Sequence, residues 1–431
     1  MRILGLALLG FRILEYWIGE LMFANCRRWL LTTLCFLGVG IAGWVYLGFM
    51  HLPKIQAEES QAQASQSQQD DVAGDAQKEH PDDSDVASRI VGETQCMDCH
   101  RAEFRRWKSS KHATRAYDLL RTSASSRRYA EALDIEFSEV TAPNSLCVEC
   151  HGTRQTLASG ETRVLSSITC ESCHNASGGE HGWLNAHAVY GKQGSARAAE
   201  TKAHYQARRE KCGKAGQLRS EDLYKLAKTC FACHVVGNES LVNDGGHPQA
   251  TQNFDLAGKS LGEVRHNFHL DQKVNAEVAT LWLDPLWNGK ERNGAGRKRL
   301  MFVVGALVDL EVSLRHLADT KDEDGDFYEN MSDRVVSAYE LLQEDILEVV
   351  EEAEEDAEED AEEGLPLLTD LLEALEEIYE KLDEEELVLE DDRQSCIDAA
   401  NAVSQAAIEF VAKHNGNRLT ALDEPEVPDD E

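Results

Sequence analysis

Residues 168–183 read ITCESCHNASGGEHGW. Cys170 and Cys173 stand three apart, His174 follows at once, and His181 lies seven residues further on. A zinc site, a disulfide loop and a covalent haem all begin this way, so recurrence is the test. The pattern returns at Cys96-Met97-Asp98-Cys99-His100, Cys147-Val148-Glu149-Cys150-His151 and Cys230-Phe231-Ala232-Cys233-His234. Each is C-x-x-C-H, the attachment signature of c-type haem. Two cysteines at this spacing reach the two vinyl groups of one porphyrin, and the adjoining histidine lies under the iron. Zinc binding and thioredoxin-like redox chemistry need no histidine in that register. A disulfide framework predicts none either. The sequence therefore predicts four covalently bound haem c groups. Cys96, Cys99, Cys147, Cys150, Cys170, Cys173, Cys230 and Cys233 attach them, and His100, His151, His174 and His234 are the proximal iron ligands.

Residues 89–290 hold nine of the twelve cysteines, many glycines and few long periodic runs. Such a domain is short of aliphatic core, and porphyrins supply what is missing. The second axial ligand of a haem is normally His or Met. Of the six methionines, Met97 lies within its own motif, and Met1, Met22, Met50, Met301 and Met331 lie in the N-terminal or C-terminal parts. Bis-histidine ligation follows by elimination. The candidates are His112, His181, His187, His204, His247, His266 and His269, a surplus over four irons. His316 and His414 fall in helical patterns further on and read as structural.

From Arg297 the pattern turns helical, as in RKRLMFVVGALVDLEVSLRHLA. Ser332 is a possible N-cap, Pro366 suits a first helical turn, and Asn415-Gly416 a helix end. Four helices with short links predict an antiparallel bundle over 291–418, followed by a disordered tail at 419–431. The predicted fold is thus mainly α: a multihaem cytochrome c domain over 89–290 with little regular sheet, then an acidic α-helical bundle. Net charge is −35. The window Glu344–Asp392 holds 25 acids against the single Lys381 and reads as the bundle's solvated face. Nucleic acid is a poor partner for such a chain. DEDGDFYENMSD, 322–333, imitates a calcium loop, but Phe327 stands where the loop requires Gly, so a solvated acidic connector is the stronger reading. Cys212 and Cys396 belong to no motif and could bridge the two regions.

Trp29–Met50 is an uncharged run of 22 residues behind Arg2, Arg12, Arg27 and Arg28. Its length suits a bilayer span better than the shorter apolar core of a cleaved signal. The positive charges keep residues 1–28 in the cytoplasm and send the rest outside. Residues 51–88, rich in Gln, Ser, Ala and acids, read as a flexible linker. The expected location is a bacterial inner membrane, crossed once, with the haem domain in the periplasm.

The stretch VGETQCMDCHRAEFRRWKSSKHATRA, 91–116, resembles the tetrahaem cytochrome c-554 family. That family pairs an early C-x-x-C-H with W-x-x-S-x-H-A, matched here by Trp107, Ser110, His112 and Ala113. The C-E-x-C-H of the third motif with its following histidine, and Gly246-His247-Pro248 after the fourth, look like the family too. The resemblance covers roughly 89–290 and implies a mainly α-helical haem domain with closely packed porphyrins. It implies that His112 and His181 are distal ligands to haems other than those their neighbours attach, and that His247 serves the fourth. It leaves the haem on His151 without a matching distal histidine and as the candidate five-coordinate iron. Asn175 departs from the family, since Gly is common there.

Three functions are compatible with this reading. The first is a membrane-tethered electron carrier between periplasmic redox proteins, a small cytochrome or an oxidoreductase complex, with the acidic surface steering a basic partner. The second is a haem enzyme acting on a small nitrogen oxide at a five-coordinate iron. The third is a membrane-anchored quinol dehydrogenase, which the long linker after the anchor disfavours. No P-loop motif is present.

Overall fold

The computed structural model describes residues 83–189, 200–219, 221–249, 256–258, 294–355 and 365–423, with 425. The expected membrane segment 29–50, most of the linker, and His266 and His269 lie outside the described residues. No helix among the described residues is long and apolar enough to cross a membrane.

The fold is mainly helical, with one two-stranded antiparallel sheet. Short helices carry the N-terminal half: α1 (Glu93–Met97), α2 (Arg101–Lys108), α3 (Lys111–Thr114), α4 (Val148–His151), α5 (Cys170–His174) and α6 (Trp183–His187). Between α4 and α5 a hairpin joins β1 (Thr153–Thr156) to β2 (Thr162–Leu165), with Thr153 opposite Leu165. Aliphatic packing here is as thin as the composition predicts. One small cluster, Leu120, Ala130, Val140 and Val148, lies beneath Tyr117 and Phe137. Longer helices follow: α7 (Lys202–Lys214), α8 (Leu223–His234) and the short α9 (Glu239–Asn243).

The C-terminal half is built from α10 (Gly294–Asp319), α11 (Asp326–Glu340), α12 (Pro366–Asp383) and α13 (Leu389–Lys413). A π-helical stretch, Leu341–Glu348, carries α11 on into Val349–Glu355. On α12 the apolar positions Leu368, Leu371, Leu372, Leu375, Ile378 and Leu382 recur at helical spacing and are buried. Glu373, Glu376, Glu377 and Glu380 between them are exposed, so the acids here are a solvated face. Pro366 opens α12, where its missing N–H is no loss. Ser332 is not a cap: α11 begins at Asp326, and Asn243 Oδ1 on α9 accepts the Phe327 N–H at 2.8 Å. Residues 326–333 are thus helical, which removes the calcium-loop geometry. Beyond α13, Leu419 and Leu422 bury against the helices, and the Leu422 carbonyl accepts from Arg299 Nε at 2.7 Å.

One core runs through both halves. Leu223, Ala227 and Phe231, one face of α8, lie in the same apolar cluster as Leu307, Leu314, Val403 and Phe410 of the long helices. The fully buried Glu311 of α10 ties the seam. It accepts from Tyr224 Oη and Lys228 Nζ of α8, both at 2.7 Å, and from Arg315 Nε at 2.9 Å. The helix bearing the fourth motif is therefore also a core helix of the bundle.

Candidate haem-binding site

Each motif sits on a helical turn or at a helix boundary. In a helix, positions i, i+3 and i+4 share one face. Cys, Cys and His of C-x-x-C-H are those positions, so one turn presents all three to one side. α5 is the third motif itself, the second motif closes on α4, and the fourth occupies the last turn of α8. The first ends at His100, the residue before α2.

The four motifs converge. Cys96 of the first shares a side-chain hydrogen bond with Cys170 of the third, which pushes the Cys96 thiol far above its ordinary range. Cys150 of the second stands in the same relation to Cys233 of the fourth. Cys173 of the third lies within electrostatic reach of Cys230 of the fourth. Spatial order is therefore first, third, fourth, second. Burial pushes the Cys173 thiol up to about 12 and the Cys230 thiol up to about 11. Redox-active C-x-x-C pairs sit instead in electropositive, partly exposed surroundings that lower a thiol. All ten described cysteines are free thiols. Cys212 and Cys396 are buried separately, on α7 and α13, and no disulfide bridges them. Among the described residues no group of three or more His, Cys, Asp or Glu side chains gathers as a ready ion site.

The histidines are set up as metal ligands through Nε2. His151 Nδ1 lies 2.8 Å from the Ala116 carbonyl, and His174 Nδ1 2.8 Å from that of Leu218. His247 Nδ1 lies 2.8 Å from the Pro248 carbonyl. A carbonyl only accepts, so Nδ1 carries the proton and Nε2 keeps its lone pair. Burial holds His174 and His247 below the ordinary imidazole range, in the neutral form that binds metal. This donor set fits covalently held haem c.

Other histidines stand close to the motif histidines. His187 Nε2 lies 3.3 Å from His100 Nε2, with the rings stacked at 5.6 Å. The His112 ring lies 6.0 Å from that of His234. His247 lies within electrostatic reach of His151 and packs on Tyr129 at 5.1 Å. His181 is exposed at the turn before α6. His204 is turned to Glu200, its Nδ1 2.7 Å from Oε1.

The second histidine pair follows from W-x-x-S-x-H-A. Trp107 Nε1 donates to the Ile168 carbonyl at 2.8 Å, joining α2 to the approach to the third motif. Ser110 Oγ accepts the Ala113 N–H and so caps α3, which carries His112. Ile168 N–H returns a bond to the His112 carbonyl at 3.0 Å. Asn175 departs at a cost. With φ +66° and ψ 158° it lies in a backbone region nearly confined to glycine. Its Nδ2 donates to the Gly216 carbonyl at 2.9 Å.

His187 was only one of seven candidates in the sequence. Its surroundings single it out in the structure. Gln217 Nε2 lies 3.3 Å from its Nδ1, and Trp183 meets its ring edge-on at 5.7 Å. Arg208 donates from Nη1 to the His187 carbonyl at 3.3 Å while Nε and Nη2 grip both oxygens of the buried Glu200 at 2.8 Å. Arg208 and Gln217 come from α7 and the loop after it, which no local motif marks.

Residues 95–175 match the family of cytochrome c554 and c-prime. The matched stretch holds three of the four motifs together with Trp107, Ser110 and His112. It supports a c-type cytochrome that holds haem covalently and carries electrons. The fourth motif, His187, His247 and the bundle lie outside it. No curated protein and no solved structure matches the chain.

Proposed function

We propose that the chain carries four haem c groups and relays electrons between redox proteins outside the cytoplasm. One observation carries the reading: the motif cysteines follow one another in an unbroken series, Cys96 paired with Cys170, Cys173 within electrostatic reach of Cys230, and Cys233 paired with Cys150. Attachment points this close support a continuous path through first, third, fourth and second haem. Haem iron, when bound, accepts and releases one electron at a time. The chain's own residues fix where that happens. The motif cysteines would anchor each group at two points, His100, His151, His174 and His234 would ligate the irons, and backbone carbonyls orient the rings of His151 and His174. His187 stands across from His100, and His112 across from His234. His247, which the resemblance implies for the fourth haem, takes the place beside His151.

The apolar segment 29–50 supports a membrane tether with the haem region in the periplasm. The exposed acids of α12 support docking of a basic partner. Pyridine haemochrome analysis tests haem number, with four per chain expected and fewer overturning the relay. Reduction by a small basic cytochrome should slow as ionic strength rises, because exposed charges are screened beyond about 10 Å at 0.1 M salt. A rate indifferent to salt removes the acidic docking face.

A second reading has one observation in its favour. An open cleft of about 470 Å³ adjoins His247, lined also by Val242, Pro248, Gln249, Asp326 and Asn330. A small nitrogen oxide entering there would approach the haem of His151. A high-spin ferric signal that disappears on adding nitric oxide or cyanide would favour this enzyme reading. An entirely low-spin spectrum would exclude it.

A further inference from the structure

Glu171 is the second residue of C-E-S-C-H, and it is 3% exposed. A carboxylate buried that deeply is costly unless its oxygens are well supplied with donors. Here the donors come from far away in sequence. The N–H groups of Val91 and Gly92 reach it at 3.0 and 2.8 Å, and those two residues stand just ahead of the first motif. Ser177, just past the third motif, gives its N–H at 2.9 Å and its hydroxyl at 2.6 Å. One side chain thus joins the entry to the first motif, the interior of the third and the exit from the third. A second link runs beside it, Gly178 N–H to the Arg89 carbonyl at 2.7 Å. Gly92 has φ +89°, so the N–H pair is presented by a backbone conformation that side chains disfavour.

We infer that Glu171 is the positioning residue that sets the placement of the first haem against the third. It acts through the backbone at Val91-Gly92 and through Ser177, and touches no reacting atom. The inference rests on the proposed haem relay. Only three residues separate Gly92 from Cys96, and Glu171 adjoins Cys170, so displacement at the carboxylate passes directly to the Cys96–Cys170 pair. The second–fourth contact, Cys150 with Cys233, has no such clamp within its C-x-x-C-H: Glu149 of the second motif pairs at the surface with Arg154 at 3.3 Å.

The experiment compares the parent chain with Glu171→Gln, Glu171→Ala and Ser177→Ala, all haem-loaded and counted by pyridine haemochrome. Spectroelectrochemical titration and low-temperature EPR read the first–third pair. Neighbouring haems interact electrically with a strength that falls with separation. Glu171→Ala should narrow the gap between the midpoints of these two haems and weaken the coupling of their EPR signals, leaving the second–fourth pair as in the parent. Glu171→Gln, which keeps one acceptor oxygen, should fall between. Ser177→Ala, which keeps the backbone donor, should shift the same way by less. It also keeps the test open should Glu171→Ala fail to fold. A general loss of rigidity would instead lower the melting temperature and change both pairs alike. Parent-like gaps and coupling in all loaded variants overturn the positioning role alone. A parent chain without haem at the first and third motifs overturns it together with the relay.

Discussion

His187 places its Nε2 3.3 Å from the Nε2 of His100, although 87 residues separate them. These two residues would together hold the haem of the first motif. His187→Ala should therefore convert the haem of the first motif from low-spin to high-spin ferric. His181→Ala should leave it low-spin, since His181 is exposed at a turn. EPR of the two oxidised variants separates these outcomes, and the opposite pattern would return the role to His181.

The brace behind His187 has a pH signature. Desolvation tends to raise the Glu200 carboxyl, but hydrogen bonds from Arg208 and His204 outweigh it, so the group ends below the ordinary carboxylate range. A lowered folded-state value gives stability that is present above the unfolded value and lost as pH falls through the folded one. The parent should lose this contribution on acidification below the ordinary glutamate range, and Glu200→Gln should lack that part of the acid limb. Breaking the buried pair with Arg208 should cost about 3–5 kcal/mol at neutral pH. Urea melts at several pH values measure both effects.

Gly237 lies against the half-buried ring of His316, so an added Cβ would come within 2.3 Å of His316 Cε1. The imidazole also meets the Phe327 ring edge-on at 6.4 Å, so making room means shifting it against this neighbour. Gly237→Ala should destabilise the fold by about 1–3 kcal/mol. Denaturation followed by haem absorbance and by far-ultraviolet circular dichroism should shift together, because both sides of the α8–α10 seam belong to one core.

Phe231 stands between the two cysteines of the fourth motif yet is fully buried among bundle residues. Phe231→Ala should cost about 3–5 kcal/mol through lost burial and the cavity left behind. Its melting transition should fall in both probes. A loss confined to the haem signal would mean that the fourth motif does not lean on the bundle.

Local chemistry was written into the sequence. C-x-x-C-H specifies attachment and proximal ligation because its three residues share one face of a single helical turn. The leucines of α12 specify a buried stripe by their spacing, and Pro366 its start. Ser110 could be read as a cap for the turn that carries His112. Contacts between remote segments were another matter. His181 lies closer to the third motif in sequence than His187 does, but only packing of α6 on α7, with Arg208 and Gln217 behind it, brings His187 to His100. The bond from Asn243 that starts α11 six residues ahead of Ser332 is likewise tertiary. So are the clamp at Glu171 and the burial of the fourth motif's helix in the bundle. Spacing along the chain determines which groups share a turn, whereas packing of distant elements determines which turns meet. The physical reason is that a helical repeat is local geometry, while a buried carboxylate, guanidinium or imidazole takes its partner from whatever segment the fold brings within hydrogen-bond reach.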